Sequence, residues 1–346
     1  MGSASRPRYY LIRFRPHIFL VIHLDTADRR GIAHVDQPDL WDVLLFIRQW
    51  LAHVWTLFLK RPRICYLPLS QSRIGFLRDS LFMIPCSLAG SAVVAHLHGA
   101  NFDQVYENGR RIFQWYVDAV LKHVAAFVVL GEMLKPIFYR WARAENIAVV
   151  PNGVPEFIAG PADRKETVES GPLRVVFLST LSRQKGLFVL LEAIPLVAQE
   201  YPNVELTGKD KMQFLNTGDI FVFPGIQQEG QPLTVLEAMC AGLPIVATDR
   251  GCLRETIVEG VTGFIVPPQS PQALAERVVQ LIREPHTRNA FGKNARLRYE
   301  QEYTMPTFAA RMAELFAQVI QSDYHKNPKT IDSSHGPEGD EYASRH

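Results

Sequence analysis

Long uninterrupted hydrophobic runs are missing from this 346-residue chain, and so is a surplus of either charge. The longest apolar stretch, Val43 to Leu59, is broken by Arg48 and His53 and falls short of a membrane span, so it reads as a core helix, with membrane contact along one face as the alternative. Lysine plus arginine (37) nearly equal aspartate plus glutamate (35), a balance that gives no reason to expect nucleic acid as a partner. Cysteine is scarce: Cys65, Cys86, Cys240 and Cys252 form no Cys-x-x-Cys pair and match no histidine spacing. That excludes structural zinc and a disulfide framework and points to a reducing, cytoplasmic setting. The first residues, MGSASRPRYYLIRFRPHIFLVIHL, thread arginines through their apolar part and show no small-residue cleavage site, so they do not read as a signal peptide. No repeat of solenoid length is present.

What is there is an alternation of short apolar runs with helical stretches. Strands are expected at Ile18–His23, Ile64–Leu69, Val93–Leu97, Ala126–Leu130 and Ile147–Val150, and helices at Leu40–Leu59, Leu77–Leu88 and Arg110–His123. The rhythm repeats with strands at Val175–Ser179, Ile220–Phe223, Ile245–Thr248 and Gly263–Val266. Such alternation implies parallel sheets covered by helices. The Pro- and charge-rich segment 155–172 reads as a linker between a first Rossmann-like domain, 1–154, and a second, 173–302. A last helix lies in 303–322, with Phe308, Met312, Leu315, Phe316 and Val319 on one face, and 323–346 reads as a disordered tail.

Within the second half, EGQPLTVLEAMCAGLPIVATDRG (Glu229 to Gly251) stands out. Pro232 suits the first position of a helix running from Leu233 to Ala241, with Gly242 as terminator. At about 100° per residue, Leu233, Leu236 and Cys240 share an apolar face and Glu237 lies beside it. Glu229 sits eight positions earlier, facing the helix start, so two carboxylates bracket N–H groups open to an anion. The plain alternative is one boundary glutamate and one solvated loop glutamate.

Other chemistry-bearing residues follow strands, where α/β sheets bind ligands. Arg183 and Lys185, in TLSRQKG, can hold a pyrophosphate or be solvated loop charges; His98, closing VVAHLHG, is a ligand-contacting or a structural histidine; Pro151–Asn152–Gly153 is a site element or an ordinary turn. The landmarks HLHGANF, VVPNGV, the KG loop, DIFVFP, Glu-x7-Glu, GLPIVATDRG and GVTGFIVPP occur in an order that resembles the retaining glycosyltransferases of family 4.

That resemblance implies a GT-B fold, two Rossmann-like domains with parallel sheets facing a central cleft, whose C-terminal helix commonly crosses back onto the first domain. It implies transfer of a sugar, with retained configuration, from a nucleotide-sugar donor to a saccharide or lipid-linked acceptor at the inner membrane face. Glu237 would bind the donor ribose, Glu229 the donor sugar, Lys185 the diphosphate and His98 the sugar or acceptor side, as the catalytic group Glu229, His98 and Lys185. Arg183 and the backbone of Gly230, Gln231, Pro232, Leu233 and Thr234 would complete donor binding. No metal and no cofactor are expected.

The chain departs from the family at three places: Ser179 and Thr180 stand where a Gly-Arg pair is usual, an N-terminal strand and glycine-rich loop are lacking, and only 18 positions separate Tyr201 from Asp219. These read as an N-terminal truncation and an internal deletion, and they raise a non-catalytic relative or partner subunit as the alternative function. A GT-B sugar-nucleotide epimerase is the third reading.

Overall fold

The computed structural model describes residues 8–14, 17–24, 40–156, 173–202, 205–207 and 215–326. Most of the expected linker and the tail beyond Lys326 lie outside these residues.

The first two strands, β1 (Arg8–Phe14) and β2 (His17–His23), pair antiparallel from Arg8 opposite His23 to Phe14 opposite His17. This corrects the placing of Ile18–His23 in a parallel sheet. Only two residues separate the strands, a spacing that closes a hairpin but cannot hold a parallel crossover.

Then follow α1 (Leu40–Lys60), β3 (Ile64–Leu69), α2 (Arg73–Leu88), β4 (Ala92–Leu97), α3 (Phe102–Glu107), α4 (Arg111–Leu121), β5 (Val124–Val129) and β6 (Ile147–Val149). Strands β3 to β6 form one parallel sheet in chain order. Helix α2 starts where Ser72 caps it, its hydroxyl accepting from the Gly75 N–H at 3.0 Å. Pro68 is tolerated in β3 because that strand is the sheet edge, where no ladder bond is lost.

The second half runs β7 (Arg174–Val176), α5 (Leu187–Glu200), β8 (Glu205–Thr207), β9 (Ile220–Phe223), α6 (Leu233–Cys240), β10 (Ile245–Thr248), α7 (Leu253–Thr256), β11 (Gly263–Val266), α8 (Pro271–Arg283), α9 (Pro285–Glu302) and α10 (Met305–Lys326). Its sheet is parallel with the order β11-β10-β9-β7-β8. The short β8 covers one edge of β7. Strands β9 and β10 are buried at every position, as unbroken apolar runs demand.

Helix α10 packs Met312, Leu315 and Val319 against Val94, Ala126, Val128 and Val150 of the first sheet. It reaches Lys326, so the helix includes residues 323–326, which composition assigned to the tail. Helix α1 is not a core helix: among its described side chains His53, Thr56 and Leu57 are buried, while Trp55 and Phe58 are 66% and 75% exposed.

Candidate active site

In the second sheet the chain passes from β7 outward to β8, then returns to place β9 on the other side of β7. Such a reversal of strand order, at the carboxyl ends of β7 and β9, is the general position of the ligand crevice in doubly wound sheets. Lys185 rides on the loop after β7 and Glu229 on the loop after β9. Their side chains meet, Lys185 Nζ donating to Glu229 Oε1 at 2.7 Å, with Gln227 Nε2 also approaching that oxygen at 3.3 Å. The two side chains are 25% and 15% exposed, so the pair is shielded without being sealed. Neither is the solvated loop charge that the sequence left open.

The backbone fixes this pair from several sides. Ile226 and Gln227 N–H groups donate to the Gln184 carbonyl, joining the two loops. The Gly251 N–H donates to Gln228 Oε1 and the Cys252 N–H to the Gly230 carbonyl, so the loop after β10 braces Glu229 from behind. Gly251 has φ +50°, and a Cβ there would overlap the Glu229 carbonyl oxygen. Only glycine satisfies both conditions.

Helix α6 starts beside Glu229. Pro232 is its N-cap residue rather than its first helical one, with no side chain bonded across the end, which leaves first-turn N–H groups without an intrahelical partner. Glu237 is 5% exposed, one turn inside a helix buried all round from Val235 to Cys240. Leu233, in contrast, is 49% exposed, so the apolar face it shares with Leu236 and Cys240 is open at its first residue. Thr234 is half-buried. The far end of α6 is held by Arg296, which donates to the Cys240 carbonyl at 2.6 Å and also pairs with Glu156 and Glu300.

The first half supplies the facing wall. His98 leaves β4 with its carbonyl against Gly230, where a Cβ would lie 2.5 Å from that oxygen. The Asn152 N–H donates to Gln231 Oε1 at 2.8 Å and its amide to the Gln231 carbonyl at 3.1 Å. Gln231 Nε2 then donates to Thr256 Oγ1, so its side chain straps the halves together. Asn101 Nδ2 reaches the Gln228 carbonyl at 3.3 Å. Glu255 accepts from the Glu132 and Met133 N–H groups at 2.8 and 2.7 Å, capping a 3-10 helix of the first half from the second.

Behind His98 lies His96, fully buried, its ring centroid 3.9 Å from that of His98. Its Nδ1 is 2.6 Å from the Tyr66 hydroxyl, while its Nε2 is buried with no hydrogen-bond partner. Burial, with the nearby His98, pulls the His96 pKa down to about 3, so it is neutral. Tyr66 is pushed up to about 12 by burial, which keeps its hydroxyl protonated. His98 is shifted below its ordinary value because protein displaces water around the ring, opposed by a hydrogen bond with Asn152.

Of the residues the sequence singled out, Lys185 meets Glu229, Gly230 lies against the His98 carbonyl and Gln231 bonds Asn152, while Glu237 is buried one turn into α6. Arg183 does not join the ion pair; it is exposed, its guanidinium 6.0 Å from the Phe188 ring centroid. No sequence pattern points to Tyr66 and His96, nor to Gln227 and Gln228, because their roles depend on which loops the fold apposes. Arg250, in the same brace as Gly251, has a buried Nε with no hydrogen-bond partner. Among the described residues no group of three or more His, Cys, Asp or Glu side chains could hold a metal ion.

Residues 205–298 match the family model for glycosyl transferases group 1. Spore coat protein SA of Bacillus subtilis is 28% identical over 191 residues, 44% of this chain and 51% of that protein, so the chain spans about half of that relative. A phosphatidyl-myo-inositol mannosyltransferase of Mycobacterium tuberculosis is 23% identical over 295 residues, 73% of this chain and 72% of the mannosyltransferase. Among solved structures, HepE of Anabaena in complex with UDP superposes with TM-score 0.64 at 19% identity, over 78% of this chain and 82% of HepE. Sucrose-phosphate synthase from Thermosynechococcus elongatus does so with TM-score 0.65 at 18% identity, over 92% and 87%. The chain thus has the GT-B fold, and the match to the group 1 glycosyl transferases lies within its second half.

Proposed function

We propose that the protein is a glycosyltransferase that takes a sugar from a nucleoside diphosphate donor and transfers it, with retained configuration, to a saccharide or a lipid-linked glycan. The observation that carries this is the crevice at the β7/β9 crossing, where the Lys185–Glu229 pair, an uncapped helix start and the buried Glu237 come together. HepE, which shares the fold, binds UDP and glucose in its solved complex.

In this reading the Lys185 ammonium and the first N–H groups of α6 take the diphosphate, displacing the ammonium from Glu229. Glu229 is then released to accept from donor-sugar hydroxyls, and Glu237 from the ribose. The bond from the anomeric carbon to the diphosphate oxygen breaks, its electrons leaving with the nucleoside diphosphate. The acceptor oxygen bonds to that carbon on the same face, and its proton passes to the departing phosphate oxygen. The transition state has oxocarbenium character, so charge neutralisation at the leaving group is the main electrostatic task of the site, and Lys185 supplies it in this reading. His98 lines the sugar or acceptor side. The setting is cytoplasmic in this reading, in keeping with Cys65, Cys86, Cys240 and Cys252 forming no disulfide among the described residues.

Thermal denaturation with and without UDP or GDP tests the donor site. Ligand at about 100 times Kd adds about 2.7 kcal/mol, and Glu237→Ala should abolish the shift. No shift with any nucleoside diphosphate at millimolar concentration would overturn the assignment. Glycoside formation distinguishes transfer from epimerisation, which forms none. Nucleotide binding with no turnover of any donor would favour a non-catalytic relative.

A further inference from the structure

Helix α1 is apolar on two opposite faces. One face packs on α2, with Trp50 Nε1 donating to the Leu81 carbonyl at 2.9 Å and Phe46 and His53 set edge-on to Phe82. The opposite face carries Trp41, Leu44, Ile47, Leu51, Trp55 and Phe58, each between 46% and 75% exposed. Helix α2 adds Ile74, Leu77, Leu81 and Leu88, exposed from 43% to 84% on the side away from its core residues Phe76 and Met83. A helix apolar all round is ordinarily covered, and single scattered leucines do not account for a continuous stripe with two tryptophans.

The charge around this surface says what covers it. Residues 40–89 hold six cations, Arg48, Lys60, Arg61, Arg63, Arg73 and Arg78, against two carboxylates, Asp42 and Asp79. That is a net +4 within a chain whose whole formal charge is +2. Asp79 is already engaged by Arg78 and by the Ser70 N–H. Lys60, Arg61 and Arg63 follow one another at the end of α1, and all are exposed. Aromatic residues at intervals along an apolar face, with long cationic side chains at its end, suit a surface that is hydrocarbon beneath and anionic above. Val43–Lys60 is long and apolar enough to cross a membrane, but His53, Thr56 and Leu57 are buried against the protein and Trp50 is bonded to α2, which favours lying on such a surface.

We propose that the outer face of α1, extended by α2, docks the protein on an anionic lipid bilayer. The surface belongs to the half that supplies His98 to the crevice. It is argued independently of the sugar chemistry and stands if that reading fails.

The test is flotation of the full chain with vesicles of phosphatidylcholine alone and of phosphatidylcholine with phosphatidylglycerol. Binding should require phosphatidylglycerol and weaken as salt rises. Each cation reversed, as in Arg61→Glu or Arg63→Glu, should lower the vesicle partition coefficient at least about fivefold. The double variant W55E/F58E, whose side chains are exposed and make no core contact, should abolish binding with an unchanged circular dichroism spectrum and Tm. Nucleotide-induced stabilisation, measured in parallel, reports the crevice separately. Equal binding to both vesicle types would overturn the proposal, as would no binding to either. So would a dimer in sedimentation that W55E/F58E makes monomeric, which would assign the face to a second copy of the chain. Retention on the vesicles through alkaline carbonate would likewise overturn surface docking in favour of insertion.

Discussion

Replacing Gly251 with alanine puts a methyl group where the carbonyl oxygen of Glu229 already stands. Two costs add. The residue is held at φ +50°, where a side chain costs about 1–2 kcal/mol. The methyl must also push the Glu229 backbone aside, an overpacking cost of about 1–3 kcal/mol. Together they come to roughly 2–5 kcal/mol. At about 2 °C per kcal/mol for a chain of this size, Tm should fall by roughly 4–10 °C. Gly260 is the internal control: it has φ +72°, yet a Cβ there meets nothing within 4 Å. Gly260→Ala should therefore carry only the backbone cost, about 2–4 °C. The variants should differ more in function. Gly251 braces the loop that aims Glu229 at Lys185, and a displacement of about 1 Å can lower kcat/KM by up to about 100-fold. Gly260→Ala should leave kcat/KM and nucleoside diphosphate affinity unchanged. Scanning fluorimetry and isothermal titration with UDP read both quantities. Equal Tm losses with equal affinities would refute the argument that the loop after β10 holds Glu229 in place.

Lys185→Ala should weaken nucleoside diphosphate binding by roughly tenfold or more, since a charge-assisted contact to phosphate is lost and Glu229 is left facing the ligand; titration calorimetry checks it. Glu255→Ala removes two charge-assisted bonds between the halves and should cost about 1–3 kcal/mol by urea denaturation, with faster amide exchange at Glu132 and Met133. Tyr66→Phe strips buried His96 of its partner and should cost about 1–3 kcal/mol. His96 also makes stability depend on pH. Its folded pKa, about 3, lies below the ordinary 6.5, so its contribution is full above pH 6.5 and falls away as acid protonates the unfolded chain first. The slope is about 1.4 kcal/mol per pH unit, or roughly 2 kcal/mol lost at pH 5. His96→Phe should flatten the Tm profile between pH 6.5 and 4 relative to the wild type, and an unchanged slope would refute the assignment.

Much of the fold is legible in local pattern. The apolar runs at Ile64–Leu69 and Ile220–Phe223 became strands with those boundaries, since a run of that length between turn residues has one efficient burial. Helix α8 begins at Pro271, as a serine followed by proline directs, with the Ser270 hydroxyl accepting from the Ala273 N–H. The hairpin and the second apolar face of α1 were misread for a common reason. Period and hydrophobicity say that a segment seeks cover, but they do not name the neighbour.

The candidate site divides in the same way. Sequence spacing by itself determined that Glu229 and Glu237 flank a helix start, and that His98, Lys185 and Asn152 follow strands. These are consequences of chain geometry within some twenty residues. Only the tertiary structure decided that Lys185 and Glu229 form a pair and that Arg183 turns away from it. It alone put His98 against Gly230, backed by His96 and Tyr66, and made Gln231 and Glu255 straps between the halves. Gln231–Thr256 spans 25 residues of sequence and His98–Gly230 spans 132. They follow from the order of strands in the sheet, and strand order is set by how two helix-covered sheets bury their apolar faces together.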